Sequence, residues 1–178
     1  MSDLGAARSA CEAGWFEPLR IEPLNSGRIN DSYRVIDPQT AREGVLQAIN
    51  ARVFSQAVQL VEQLARVVTH LNAQQPGWVP ELLPTRDGNS YVRWDDRIWR
   101  LWRFVPGEVL QLDHCPRSLR LARLRAAGQA FARTQVLLES LSGPRLLPAI
   151  GHYHDLAYYL ERFDVLADRA TPQWRARV

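Results

Sequence analysis

The amino-acid sequence predicts an α+β fold: a five-stranded antiparallel sheet with one helix between its third and fourth strands, followed by a helical region. Three features predict it. Short β-prone runs separated by turn-forming residues fill the segment from Leu19 to Asn50. One strongly periodic helix follows at 55–73. After Val105-Pro106-Gly107 the pattern becomes helical and stays so.

The bulk properties bound the function. A chain of 178 residues, 46% of them hydrophobic, can bury a substantial core. The net charge is +3 and the pI about 9.2, but acidic residues nearly balance basic ones and no long basic run occurs. A weak preference for anionic partners follows, which a nucleotide meets as well as a nucleic acid does. Only the pI and the Arg and Trp content speak for nucleic acid. The two cysteines, Cys11 and Cys115, are far apart with no CxxC pair, which argues against a disulfide framework or a zinc site and for a reducing compartment. No stretch of about 18 apolar residues occurs, and the start MSDLGAARSACEAGWF has no uninterrupted apolar segment. The expectation is a soluble, cytoplasmic protein without a membrane partner.

Residues 1–18 read as a lead-in, with 2–14 a short helix or loose segment to which no function is assigned. RIEPLN, SYRVI and GVLQAIN form the first three strands, separated by SGRIND and DPQTARE. In the helix at 55–73, Leu60, Val61, Leu64, Val67, Val68 and Leu71 recur at steps of three and four, with Ser55 available as N-cap. After PGWVPELLP, two hairpin-like strands are expected, turning at Asp87-Gly88 and Asp95-Asp96. Residues 117–141 form a long amphipathic candidate with Leu121, Leu124, Ala127, Phe131 and Leu138 along one face. HYHDLAYYLERFDVLADR is again helix-prone. There is no internal repeat.

The runs NSGRINDSYRV, VLQAIN, VF, LVEQLARVVTHL and WRFVPG, and later AAGQAFARTQVLLESL and LPAIGHYHD, carry a resemblance. In this order they resemble the phosphotransferase family of aminoglycoside kinases, choline kinases and, most closely, N-acetylhexosamine 1-kinases, over roughly residues 19–170. The resemblance implies a protein-kinase-like amino-terminal lobe at 19–105, with a hinge and an incomplete helical carboxy-terminal lobe at 106–178. It also implies ATP and Mg²⁺ as cofactors.

Several residues acquire roles on this basis. Ser26, Gly27, Asn30 and Ser32 belong to the turn between the first two strands. There, backbone N–H groups and a flexible glycine can approach phosphates, or else Asn and Gly serve only the backbone angles of a hairpin. No GxGxxG is present. The third strand of such a lobe offers a basic side chain to the phosphates, steadied by a helix carboxylate. Glu62 matches that carboxylate, or is an ordinary solvated residue. The family usually has Lys or Arg between Gln and Ile, where this chain has Ala48, leaving Gln47 or a residue from elsewhere to face the phosphates. Phe104 and Val105 match the crossing into the hinge, where the adenine is held.

Other candidates carry less. Arg117, Arg120 and Arg123 read as a solvated basic face. His152, His154 and Asp155 are too few and too local for a metal site, and the tryptophans read as packing residues. No catalytic or metal-ligating residue is identified. The resemblance implies a later His-x-Asp segment with a downstream Asn, and a further Asp for magnesium; in GHYHDLAYYLERF, the nearest match, His154 and Asp155 are adjacent and no Asn follows. The expectation is a truncated kinase fragment, inactive alone and possible to complete with a second chain. The alternative is a non-catalytic nucleotide-binding or interaction scaffold. The acceptor is not specified.

Overall fold

The computed structural model describes residues 3–24, 27, 29–107 and 115–169. The chain divides into two compact units, Met1–Arg145 and Leu146–Val178. The first unit is built on helix α1 (Leu4–Gly14), strands β1 (Arg20–Pro23), β2 (Asp31–Ile36) and β3 (Glu43–Ala48), and helix α2 (Ala57–Gln74). It continues with β4 (Leu82–Leu83), β5 (Val92–Trp94), β6 (Arg97–Arg103) and helix α3 (Arg117–Leu138). The strands form one antiparallel sheet in the order β1-β2-β3-β6-β4, with β5 also paired to β6. This is the expected α+β architecture, with six strands among the described residues where the sequence predicted five. The additional strand is β4, whose two residues pair Leu82 with Trp102 and Leu83 with Leu101. Two residues are too few to show the alternation by which a strand is read.

Period-two alternation sorts the sheet into two faces. On one, Tyr33, Val35, Leu46, Ala48, Trp99 and Leu101 are buried against Ala7, Ala10 and Cys11 of α1. The small residues of α1, spaced at three and four, let the helix lie close to the sheet. Asp3 caps its start by accepting from the Ala6 N–H at 3.0 Å. At its other end Arg86 donates to the carbonyls of Glu12 and Ala13, placing a cation where the helix dipole favours one. The segment read as a lead-in is therefore a core-forming helix. On the other face Ile49 and Ile98 pack against Ala57 and Val61 of α2, with Leu82 beside them.

Cys11 is fully buried, and desolvation pushes its thiol up to about 12. A thiol so raised stays neutral and unreactive at physiological pH. Native-state alkylation at pH 8 should spare Cys11 and modify it only after denaturant is added, as read by mass spectrometry of the labelled peptides.

Turn chemistry follows the sequence closely. Asp95 and Asp96 both have positive φ, 50° and 53°, as a two-residue hairpin turn requires. Gly88, at φ 79°, closes a turn in which its N–H donates to the Thr85 carbonyl. Helix α2 starts two residues later than predicted. Gln56, not Ser55, is its N-cap, and no side chain caps it.

Helix α3 departs from the amphipathic expectation. Its buried residue is Leu137, on a different side from Leu124 and Phe131, which are exposed. It is held by polar ties at its C-terminal end: Trp78 Nε1 donates to Thr134 Oγ1 at 3.0 Å, and His70 Nε2 lies 2.8 Å from the Leu137 carbonyl. An apolar stripe predicts the buried face only where an apolar partner exists, and the exposed Leu124 and Phe131 have none, while the C-terminal end of α3 is tied to His70 of α2 and to Trp78 beyond it.

In the second unit, helix α4 (Leu156–Arg169) begins after His152-Tyr153-His154-Asp155. Asp155 accepts from the Tyr158 N–H at 3.1 Å and meets His152 Nδ1 at 3.0 Å. The His152 ring stacks on Tyr158 at 3.8 Å. These residues start a helix. The hydrogen bond from His152, with that from Tyr158, holds the Asp155 carboxyl below its ordinary range. No helix among the described residues is long and apolar enough to cross a membrane.

Candidate functional site

The sheet face toward α2 carries the site. Across the three central strands Ser32 on β2 pairs with Gln47 on β3, and Gln47 pairs with Arg100 on β6. Because paired residues in a ladder point to the same face, the three side chains form one transverse row. Gln47 is its centre. Its Nε2 donates to Ser32 Oγ at 3.0 Å, while its Oε1 accepts from Trp102 Nε1 at 2.9 Å and from Arg100 Nε and Nη2 at 3.2 and 3.0 Å. With donors on one side and an acceptor on the other, the amide has one orientation that satisfies every group.

The turn before β2 is drawn into the same network. Asn30 Oδ1 accepts from the Asn50 N–H at 3.0 Å, and Asn50 Nδ2 donates to the Ile29 carbonyl at 3.1 Å. These bonds clamp the β1–β2 turn to the end of β3. A Cβ at Gly27 would lie 3.0 Å from the Asn30 carbonyl oxygen and 3.7 Å from Ser32 Oγ. Neither Gly27 nor Asn30 has a positive φ, so backbone angles do not require either residue. Gly27 permits a close approach, and Asn30 supplies a side-chain clamp. Ser26, the remaining candidate of this turn, lies outside the described residues.

Beside the row lies a cleft of about 550 Å³ between the sheet and α2. Val45, Leu64, Val68, Trp102, Phe104 and Val105 are among its lining residues, with Gln47 and Arg103 as its polar ones. The structure thus brings Gln47, Phe104 and Val105 to one cleft, and joins Asn30 and Ser32 to it through hydrogen bonds. The Phe104 N–H donates to the Glu43 carbonyl at 3.1 Å, continuing the ladder past β6. Arg34, paired bidentately with Glu43, lies 4.7 Å above the Phe104 ring.

Glu62 stands apart. It is exposed and lines a different groove, with Ile49, Gln59, Arg93, Asp96 and Ile98. The α2 side chains that face the sheet and cleft, including Val61, Leu64 and Val68, are apolar.

Ala48 also has a different position from the one its place in the sequence suggested. Its side chain is buried on the α1 face, paired with Trp99. Val45 and Gln47, two apart, are the β3 residues that reach the cleft. Position 48 is therefore not an emptied phosphate contact. Sequence reasoning also missed Arg100. The signal was present in the alternation of RIWRLWRF, which places Ile98, Arg100, Trp102 and Phe104 on one face.

Burial lowers the Arg100 guanidinium to about 10. Among the described residues no three His, Cys, Asp or Glu side chains converge as a metal site would require.

The sequence model of the phosphotransferase enzyme family matches residues 20–178, from the first strand onward. With the antiparallel sheet, the single helix after β3 and the cleft ending at Phe104-Val105, this places the protein: the chain belongs to the phosphotransferase enzyme family.

Proposed function

We propose that this chain forms the nucleotide-binding part of a small-molecule kinase that passes the γ-phosphoryl group of ATP to a hydroxyl of a sugar or related compound. The observation that carries the reading is the polar row Ser32, Gln47 and Arg100 beside an apolar cleft that ends at Phe104-Val105. A volume of about 550 Å³ with mostly apolar walls suits a purine base. From Phe104 to Arg100 the strand runs about 13 Å, comparable to an extended nucleotide from its base to its phosphates. The cleft walls would take the base and exclude water from it, and the row would hold the phosphates. Orientation of this kind is most of what phosphoryl transfer asks of a protein.

When bound with ATP, Mg²⁺ supplies neutralisation of phosphate charge. The described residues offer it no set of three or more His, Cys, Asp or Glu ligands. The 178 residues contain no His-x-Asp segment. On this reading the base that takes the acceptor's proton lies outside these residues, on the same polypeptide or on a second one, and residues 1–178 alone do not transfer phosphate. The resemblance to N-acetylhexosamine 1-kinases supports a sugar acceptor, and the cysteine pattern supports a cytoplasmic setting.

Calorimetric titration with Mg-ATP tests the reading. Saturable binding is expected, weakened about tenfold or more by Gln47→Ala, which removes the acceptor shared by Arg100 and Trp102. No binding at millimolar ATP would overturn it. The scaffold reading, favoured by exposed Leu121, Leu124 and Phe131 on α3, would then stand.

A further inference from the structure

We propose that Arg100, on β6, is the phosphate-anchoring cation of this lobe, in place of the basic residue that the family resemblance puts on β3. The inference rests on the nucleotide-binding reading above and names the side chain that would discriminate a nucleotide from its nucleoside.

The geometry excludes the alternatives on β3. Ala48 faces the opposite core, and Gln47 is neutral. Arg100 is Gln47's register partner, on the same sheet face and beside the cleft that Gln47 lines, so its charge sits one strand away from the position expected for it. Its direction is fixed. Nε and Nη2 are held on Gln47 Oε1, and the guanidinium lies 5.1 Å above the Trp102 ring. Such an arginine is oriented before any ligand arrives, so less freedom is lost when it binds one.

The charge itself has no counterpart. Arg20, Arg34, Arg97 and Arg103 pair with Glu22, Glu43, Asp31 and Glu81 respectively. Arg100 has no carboxylate within ion-pair distance among the described residues, and the hydrogen bonds it makes there run from Nε and Nη2 to the neutral Gln47 amide. A partly buried cation without a counter-ion is unfavourable, which is why burial lowers its proton affinity. An anion with oxygens matching the planar guanidinium relieves that penalty, and a phosphate group is such an anion. In addition, α2 turns apolar side chains toward the sheet while Glu62 lines another groove. The helix carboxylate that would otherwise occupy the cation is not there, and the cation is left to the ligand.

The test is calorimetric titration of the 178-residue chain with adenosine and with ATP, with and without Mg²⁺, at low and moderate salt. Wild type should bind ATP about tenfold or more tightly than adenosine, with the gap narrowing as salt rises. Arg100→Met should bring ATP down to the adenosine level and leave adenosine unchanged; Arg100→Lys should keep part of the gap. Equal binding of the two ligands by wild type would overturn the inference while leaving the nucleotide reading standing. So would a gap that survives Arg100→Met, or equal loss of both ligands in that variant, which marks a merely structural role. Binding of neither ligand by wild type would overturn both. If thermal unfolding shows that Arg100→Met does not fold, the wild-type gap, its salt dependence and Arg100→Lys decide.

Discussion

Replacing Ala48 with Arg should destabilise the chain by more than about 4 kcal/mol and should not strengthen nucleotide binding. The substitution makes β3 read more like its relatives, yet its side chain would enter the core against α1. Ala48 is fully buried there, paired with Trp99 and clustered with Tyr33, Leu46 and Leu101. Forcing extra volume into such a core typically costs about 1–3 kcal/mol, and burying a charge with no carboxylate adds several more. Against a total stability of roughly 5–15 kcal/mol for a domain, much of the population would unfold. Val45→Arg is the comparison, because position 45 is on the same strand but opens onto the cleft instead of the α1 core. Urea denaturation checks both variants. A stable Ala48→Arg protein with improved ATP affinity would mean that β3 presents its other face to the cleft.

That contrast explains which parts of the fold and site were legible in the sequence. The three first strands, the helix at 57–74 and the Asp95-Asp96 turn were readable because each is set locally, by alternation, by a 3.6-residue period or by residues that tolerate positive φ. The two-residue β4 and the buried side of α3 are set by partners distant in the chain. So is the role of residues 4–14, whose Ala7, Ala10 and Cys11 look unremarkable until a sheet lies beneath them.

For the site, the residue types were readable but not their facing. A strand shifted by one residue exchanges its faces, so matching words between relatives does not say whether position 47 or 48 reaches the cleft. Pairing β3 with β6 settles it, and that pairing joins residues about 50 positions apart. Arg100 was hidden for the same reason. Asn30 and Gly27 were singled out, but the Asn30 to Asn50 clamp depends on where β3 ends rather than on the turn's own residues.

The three tryptophans of the β5–β6 segment differ in the face they occupy. Trp94 is exposed, Trp102 faces the cleft and donates to Gln47, and Trp99 is fully buried on the α1 face. Trp99→Ala should therefore cost about 3–5 kcal/mol, whereas Trp94→Ala should stay within about 1 kcal/mol of wild type. Beyond its volume, Trp99 Nε1 donates to the Trp94 carbonyl at 3.2 Å, tying the hairpin, and its ring lies 6.1 Å from that of Tyr33. Arg97, paired with Asp31, stacks at 5.0 Å and links the same point to the start of β2. Trp99 is also the register partner of Ala48, next to the Gln47 and Arg100 pair. Its loss should therefore loosen the Ser32, Gln47 and Arg100 row as well as the core. Urea midpoints would report the first effect, and amide exchange along β3 and β6 the second. Trp99→Phe, which keeps an aromatic ring but not the N–H, should recover most of the stability. If Trp99→Ala and Trp94→Ala lowered the midpoint equally, the tryptophans would not differ in burial, and the facing of β6 on which the Arg100 assignment depends would fall with them.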